Sequence, residues 1–370
     1  MTSAKVALSA HRLQICAFVL PGTIAVAMAL GVGAPTFDWR FAISGAHYLL
    51  SGHLSIYADM PQVQMGPLSL LLAGLLPGPV YLVALCALLP LMLWMMTLLY
   101  PPSNRTYGLA LTGGLFLAWP WAVFAVQGHG DDALVMVGVV AMVLGSKSHR
   151  EALLIGGFLV AIAGKPTAIL FLPLAFVYSR RARIVAALGG AMLWAPFVLA
   201  NVPGFMAAGR GQGKISSFSV PDLLGGVPYG AFPAWVRPAQ LIGGAALCFF
   251  LARRSGPAAA AAGVFALRVL LEPATWNYYS TAVIAAAILL DLDSRRRMPW
   301  GTILAFVSFV VAFNTPAGMV PGVIRIVSLT GVLILSFARR SSRPIHGAEP
   351  IRPIDTIQPV GTSSPTRTEP

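Results

Sequence analysis

Long apolar segments, separated by short clusters of charge, run along almost the whole chain. The segments whose apolar length predicts membrane-crossing helices are 13–33, 66–100, 107–126, 131–146, 152–164, 167–178, 184–202, 235–252, 257–271, 279–291, 300–314 and 320–337. Continuous hydrophobicity of this kind is typical of helices, which satisfy their own backbone polar groups inside lipid. The pattern therefore predicts an all-α, polytopic transmembrane helical bundle.

Two parts of this pattern are interrupted. The stretch 66–100 is too long for one plain helix and contains Pro77-Gly78-Pro79, so we expect one crossing with a break or a half-helix. The segments 152–164 and 167–178 are short and flank Gly164-Lys165-Pro166. We expect them to form a hairpin that reaches only partway and holds Lys165 in a polar cavity.

The basic residues predict the orientation of the bundle. With the N-terminus inside and about twelve crossings, every cluster falls in a cytoplasmic loop, where Lys and Arg are in excess. These clusters are Arg105, Lys147/Arg150, Arg180/Arg181/Arg183, Arg253/Arg254, Arg295/Arg296/Arg297 and Arg339/Arg340/Arg343. The sequence thus predicts a multi-pass protein of the cell (plasma) membrane with both termini cytoplasmic. Its transmembrane domain covers 1–340, and the tail 341–370, rich in Pro, Ser, Thr and Arg, is predicted to be disordered.

Composition excludes a soluble or nucleic-acid-binding protein. The chain is 57% hydrophobic and 10% charged, so its partner is the lipid bilayer. The net charge of +13 comes from the loop clusters and implies no nucleic acid. The first extracytoplasmic loop, about 34–65, contains apolar and aromatic residues at helical spacing over 38–50, which predicts an interfacial helix.

The candidate site lies at the predicted extracytoplasmic face, where ionisable groups end several apolar segments. Such groups are costly in a membrane and mark function by default. They are Asp38, Asp131, Asp132, Lys165, Arg268 and Glu272. Asp38 is either a general base for a hydroxyl or a helix cap, two compatible roles.

Each of the other candidates also has two interpretations. Asp131 and Asp132 are helix caps or partners of a nearby cation or hydroxyl, and His129 beside them assists or is structural. Lys165 neutralises a phosphate or extends to water. Arg268 and Glu272, four residues apart, pair with each other or bind substrate. Aromatic residues such as Tyr278 form an interface belt or a platform for sugar or lipid.

Two kinds of site receive little support from the sequence. No motif such as His-x-x-x-His appears, so no metal site is predicted. The binding of a divalent cation stays an open alternative. Gly209-Arg210-Gly211-Gln212-Gly213-Lys214 fails the spacing of a nucleotide-binding loop, but Arg210 and Lys214 remain candidates for touching a lipid phosphate.

One set of residues resembles a known family. It comprises Phe37-Asp-Trp-Arg-Phe41, Gly45-Ala-His-Tyr-Leu-Leu-Ser-Gly52, Ile56-Tyr57, Gly66-Pro-Leu-Ser-Leu-Leu-Leu-Ala73, Gln127-Gly128 and Gly157 through Gly164-Lys165-Pro166, with weaker support from Trp276-Asn-Tyr-Tyr279. The set resembles the GT-C superfamily of polytopic glycosyltransferases, especially the actinobacterial polyprenyl-phosphate-mannose-dependent mannosyltransferases of the glycosyltransferase-87 type.

The resemblance implies an enzyme that transfers a hexose, mannose in that family, outside the cytoplasm. A polyprenyl-phosphate sugar would be the donor, and a glycolipid or glycan of the envelope the acceptor. Asp38 matches the family's catalytic acid in the first extracytoplasmic loop, while Lys165, Arg268 or Arg210 would stabilise the leaving phosphate. The substrate-binding candidates are Arg40, His129, Asp131, Asp132, Lys165, Arg210, Arg268, Glu272 and Tyr278. No nucleotide or redox cofactor is implied.

Two other classes remain open on the residues alone. A transporter or lipid flippase would also bury ionisable groups along its pathway. It accounts less well for their concentration on one face. A non-catalytic scaffold for envelope assembly is the third interpretation.

Overall fold

A computed structural model describes residues 2–32, 37–209, 215, 219–224, 232–274, 276, 278–294, 298–314 and 319–339. Within these residues the chain is helical and contains no strand. Five of the described helices, over Arg12–Val32, Gly78–Thr97, Asn104–Val126, Arg180–Ala200 and Met319–Ala338, are long and apolar enough to cross a membrane. The predicted helical, membrane-embedded class is therefore confirmed.

The first half of the chain forms eight helices. They are α1 Thr2–Val32, α2 Phe37–Leu50, α3 Ile56–Asp59, α4 Pro67–Leu75, α5 Gly78–Thr97, α6 Asn104–Val126, α7 Gly130–Lys147 and α8 Glu151–Gly164. A 3₁₀ helix, Pro166–Phe171, follows directly and leads into α9 Leu172–Tyr178. The helix predicted in the first loop is confirmed as α2.

The second half begins with α10 Arg180–Ala200, α11 Val202–Gly209 and α12 Val220–Leu223. A single turn α13 Val236–Pro238 and a π-helical segment Ala239–Gly243 then lead into α14 Gly244–Arg254. The last helices are α15 Pro257–Leu270, α16 Tyr279–Asp293, α17 Trp300–Asn314 and α18 Met319–Ala338. The predicted disordered tail 341–370, Arg210 and Lys214 lie outside the described residues.

Both predicted interruptions occur where a proline follows. Leu76 is extended between α4 and α5 (φ −107°, ψ 128°), and Lys165 is extended after α8 (φ −155°, ψ 134°). Each precedes a proline, whose ring disfavours the helical conformation in the residue before it. The break expected within 66–100 is therefore confirmed, and Lys165 ends α8 for the same physical reason.

Among the described helices, α7 and α8 form the most extensive contact, and they meet through small residues. A Cβ added at Gly138 would lie 2.5 Å from the carbonyl oxygen of Gly157, and one added at Gly157 would lie 2.6 Å from that of Gly138. Such close backbone approach through glycine is how helices pack when lipid offers no hydrophobic driving force between them. The pair matters because α7 begins with the two candidate aspartates and α8 ends at Lys165.

Candidate functional site

Lys165 lies between the two adjacent acids of α7. Its Nζ is 2.7 Å from Asp131 Oδ2 and 2.8 Å from Asp132 Oδ2, and all three side chains are buried. The geometry follows from the sequence, because Pro166 forces Lys165 out of α8 while the glycine contacts hold α8 against the first turn of α7. The cation that two buried neighbouring carboxylates require is thus supplied by the chain itself.

The turn between α6 and α7 brings His129 to Asp38. Gly128 has a positive φ of 85°, which glycine adopts without strain, and a Cβ there would lie 3.0 Å from the backbone of Trp39. This close approach seats the start of α2 on the turn. His129 Nε2 then lies 3.2 Å from Asp38 Oδ2, and its Nδ1 lies 3.7 Å from Asp131 Oδ1.

His129 is buried in this turn, outside both flanking helices, and its ring stacks on Tyr278 with 3.8 Å between centroids. Burial lowers the pKa of His129, but the carboxylates of Asp131 and Asp38 outweigh it and raise the pKa to about 9. The imidazole is therefore protonated at neutral pH, and it places a positive charge beside the carboxylate of Asp38.

A second ionic group forms around Glu272. Its Oε2 accepts hydrogen bonds from Arg237 Nη1 at 3.2 Å and Gln240 Nε2 at 3.1 Å. The four-residue spacing of Arg268 and Glu272 suggested that they pair with each other, and this interpretation is wrong: the carboxylate's partner comes from α13. Gln240 also donates to the carbonyl oxygen of Arg268, so one amide links both residues to the π-helical segment.

Arg268 is buried near the end of α15 and lies over the ring of Tyr279, with 5.4 Å from its Cζ to the centroid. Among the described residues no carboxylate lies within 4.0 Å of its guanidinium. A buried cation that lacks a contacting anion is costly in a membrane, so this position is suited to an anionic ligand.

Two adjoining cavities meet at these residues. The polar cavity, of about 480 Å³, is lined by Asp38, Gln127, His129, Asp131 and Glu272, among others. The apolar cavity, of about 310 Å³, is lined by residues such as Ile169, Leu170, Trp194, Phe205, Leu241 and Arg268. Both are lined by Val63, Gln64, Lys165, Arg237 and Tyr279, so two cations and a hydroxyl group lie at their common border.

The structure brings most of the sequence candidates together. Asp38, His129, Asp131, Lys165, Glu272 and Tyr278 line the polar cavity, Arg268 lines the apolar one, and Asp132 contacts Lys165 behind them. Arg40 does not join them, because it is exposed and lines neither cavity. Arg210 lies outside the described residues.

Sequence reasoning missed Arg237 and Gln240. They follow the long segment after α10, more than thirty positions before Glu272, and no periodicity links them to that carboxylate. The one available signal was Arg237 itself, a single charge at the start of an apolar segment. The same criterion had selected Lys165.

His129, Asp131 and Asp132 also form the one cluster of potential metal ligands found among the described residues, with ligand atoms all within 4.8 Å of one another. These residue types suit a divalent cation. However, Lys165 contacts both carboxylates, so a bound cation would compete with its ammonium group. The cluster therefore fits an internal ion pair better than a metal centre.

Comparison of the chain with protein-family models, curated proteins and solved structures finds no match. A functional proposal must therefore come from the residues and the geometry of the two cavities.

Proposed function

We propose that this chain is a membrane glycosyltransferase that moves a sugar, mannose by the family resemblance, from a polyprenyl-phosphate donor to an envelope acceptor. The observation that carries the proposal is the junction of the two cavities. An apolar cavity, a cationic border and a polar cavity with a carboxylate follow one another, as do the tail, phosphate and sugar of such a donor.

The apolar cavity suits the lipid end of the donor. Ile169 and Leu241 line it and are also 43% and 41% exposed on the surface of the bundle, where the solvent is lipid. An isoprenoid chain would therefore reach the cavity from the bilayer without crossing water. Its phosphate would lie beside Arg268, whose guanidinium has the geometry for binding phosphate oxygens and no competing carboxylate in contact.

Asp38 is the group we assign as general base. Its carboxylate lines the polar cavity and is 41% exposed, so a hydroxyl can reach it, and His129 Nε2 lies 3.2 Å from it. In the proposed step the acceptor hydroxyl gives its proton to Asp38 while its oxygen attacks the anomeric carbon. The bond from that carbon to the phosphate oxygen breaks, and its electron pair stays on the phosphate beside Arg268.

The proposal includes the orientation expected from the sequence, with about twelve crossings and both termini in the cytoplasm. Lys147 is the last residue of α7 and Arg150 follows it, whereas Asp131 and the site lie at the beginning of the helix. If the basic end faces the cytoplasm, both cavities open at the extracytoplasmic side of the plasma membrane. A donor built on a lipid is then required, since cytoplasmic nucleotide sugars do not reach that face.

The test is sugar transfer by the purified full-length protein in lipid vesicles supplied with labelled polyprenyl-phosphate mannose and an extract of envelope glycolipids. We expect Asp38→Asn to lower the turnover number at least a hundredfold, because general base catalysis contributes roughly 10²–10⁴-fold. Asp59→Asn is the matched control. It changes an exposed acid in the same first loop that bonds Tyr48 and Ser55 and lines neither cavity, so its turnover should match wild type.

Three outcomes would count against the proposal. Equal transfer by wild type and Asp38→Asn would remove Asp38 from the mechanism. Movement of the labelled lipid between leaflets, with no new glycosidic product from several donors and acceptors, would favour a flippase; inactivity in both assays would favour a scaffold.

A further inference from the structure

Every carboxylate that lines the polar cavity is paired with a base. Asp38 has His129 at 3.2 Å, Asp131 has Lys165 at 2.7 Å, and Glu272 has Arg237 at 3.2 Å. Asp132 also contacts Lys165 from behind the lining, and Arg268 interacts electrostatically with Asp132. Because His129 is protonated at neutral pH, these four carboxylates face four cations and the group carries no net charge. The cavity thus differs from the neighbouring Arg268 position, which has a cation without a contacting carboxylate.

The remaining lining of the polar cavity consists largely of amides and aromatic rings. Gln62, Gln64 and Gln127 offer both donors and acceptors for hydrogen bonds. Trp276 lies nearly parallel to Tyr278, with an interplanar angle of 17° and 6.3 Å between centroids, and it is 55% exposed. Tyr278 in turn stacks on His129, so the three rings form a column that ends at an accessible indole.

Several buried oxygens in this lining also lack a hydrogen-bond donor. Gln127 Oε1, Asp131 Oδ1 and Glu272 Oε1 accept no hydrogen bond in the described structure, although His129 Nδ1 lies 3.7 Å from Asp131 Oδ1. Because they are acceptors, a ligand that satisfies them must bring donors, as the hydroxyl groups of a sugar do. A carboxylate or phosphate brings further acceptors and would leave these atoms unpaired.

We propose that the polar cavity binds an uncharged, hydroxyl-rich glycan and discriminates against acidic sugars. That this glycan is the acceptor of the transfer rests on the proposed function. The preference of the cavity for a neutral glycan does not. The cavity of about 480 Å³ lies within the range of roughly 300–1,000 Å³ that is usual for small-molecule sites. Trp276 provides a stacking face, and the amides and unpaired acceptors hold the hydroxyl groups.

The inference is tested by binding to the full-length protein in lipid nanodiscs, followed by saturation-transfer NMR. Three matched probes differ in one group: a methyl mannobioside, its terminal uronic acid and its terminal 6-amino derivative. In wild type we expect the neutral probe to bind at least fivefold more tightly than either charged one. Glu272→Gln removes one negative charge and leaves Arg237 unbalanced, so the acidic probe should gain at least tenfold relative to the neutral probe.

Two further variants provide a second test and a matched control. Gln62→Glu adds a carboxylate at an exposed lining position, where folding is not at risk, and should shift preference towards the amino probe. Glu151→Gln makes the same substitution as the test variant at the opposite end of the α7–α8 pair, and it should leave all ratios unchanged.

Equal or tighter binding of the acidic probe to wild type would overturn the inference. So would unchanged ratios in both Glu272→Gln and Gln62→Glu, or no binding of any probe. Failure of sugar transfer with this selectivity intact would overturn only the proposed function, whereas transfer without selectivity would overturn only this inference.

Discussion

The two ends of α7 carry ionic clusters of opposite character. At its beginning, Asp131 and Asp132 share Lys165 beside a cavity, and Asp131 Oδ1 has no hydrogen-bond donor. At its end, Lys147 pairs with Asp293 Oδ1, which Tyr100 also contacts at 3.3 Å. The other oxygen of Asp293 lies 3.3 Å from Arg339 Nε.

The cluster around Asp293 has a partner for each carboxylate oxygen, and none of its residues lines either cavity. It joins the ends of α7, α16 and α18 and thereby holds the bundle together. The cluster around Asp131 leaves polar atoms unpaired next to open space, which is costly for stability and is typical of binding sites. Arg339 Nε in the Asp293 cluster also lacks a hydrogen bond, but Arg339 lines neither cavity. The comparison teaches that unpaired acceptors beside open space, more than charge itself, distinguish the candidate site.

The largest expected effect comes from breaking each cluster at its lysine. Lys165→Met removes the cation that contacts both buried carboxylates, so we expect it to lower the free energy of unfolding by about 3–5 kcal/mol. Lys147→Met removes a partly exposed lysine while Arg339 still faces Asp293, and should cost about 1 kcal/mol. Thermal midpoints of the purified variants in one detergent measure the difference. Equal losses would refute the contrast between the two ends.

A smaller effect is expected from the glycine contacts between α7 and α8. Gly157→Ala places a methyl group against the backbone of α7 and should cost about 1–3 kcal/mol by overpacking. Because α8 would shift, Lys165 should move from Asp131 and sugar transfer should fall as well. Gly156→Ala is the matched control, since an added Cβ there meets no atom within 4 Å. Thermal midpoints and transfer rates of both variants check this, and similar losses in the two would show that helix packing is not responsible.

The helices could be predicted from the sequence because lipid imposes a simple rule on apolar segments. The breaks at Leu76 and Lys165 were also predictable, since each precedes a proline. The ionic candidates at the site were identified by their rarity in apolar sequence. In each case a local feature of the chain was sufficient.

The partners of these groups could not be predicted in the same way. The pairing of Glu272 with Arg237, and of Lys147 with Asp293, depends on which helix ends meet in space. Local spacing favoured Arg268 as the partner of Glu272. Instead, α13 brings Arg237 and the π-helical segment brings Gln240 to the carboxylate of Glu272. Tertiary packing therefore decided the pairs, whereas local sequence decided the elements.

The last prediction concerns the charge of His129. The cluster around Asp293 contains no histidine, so it has no group that titrates near neutral pH. The pKa of His129 is raised from 6.5 to about 9, so its charge stabilises the folded state fully below pH 6.5, and this contribution is lost as the pH rises through 9. His129→Gln keeps a donor towards Asp38 but not the charge, and should cost about 3 kcal/mol at pH 6, because each pKa unit is worth about 1.4 kcal/mol. Thermal midpoints of wild type and variant at pH 6 and pH 10 should therefore converge at the higher pH. A difference that grew with pH would mean that His129 is neutral in the folded protein. Asp38 would then have no cation beside it.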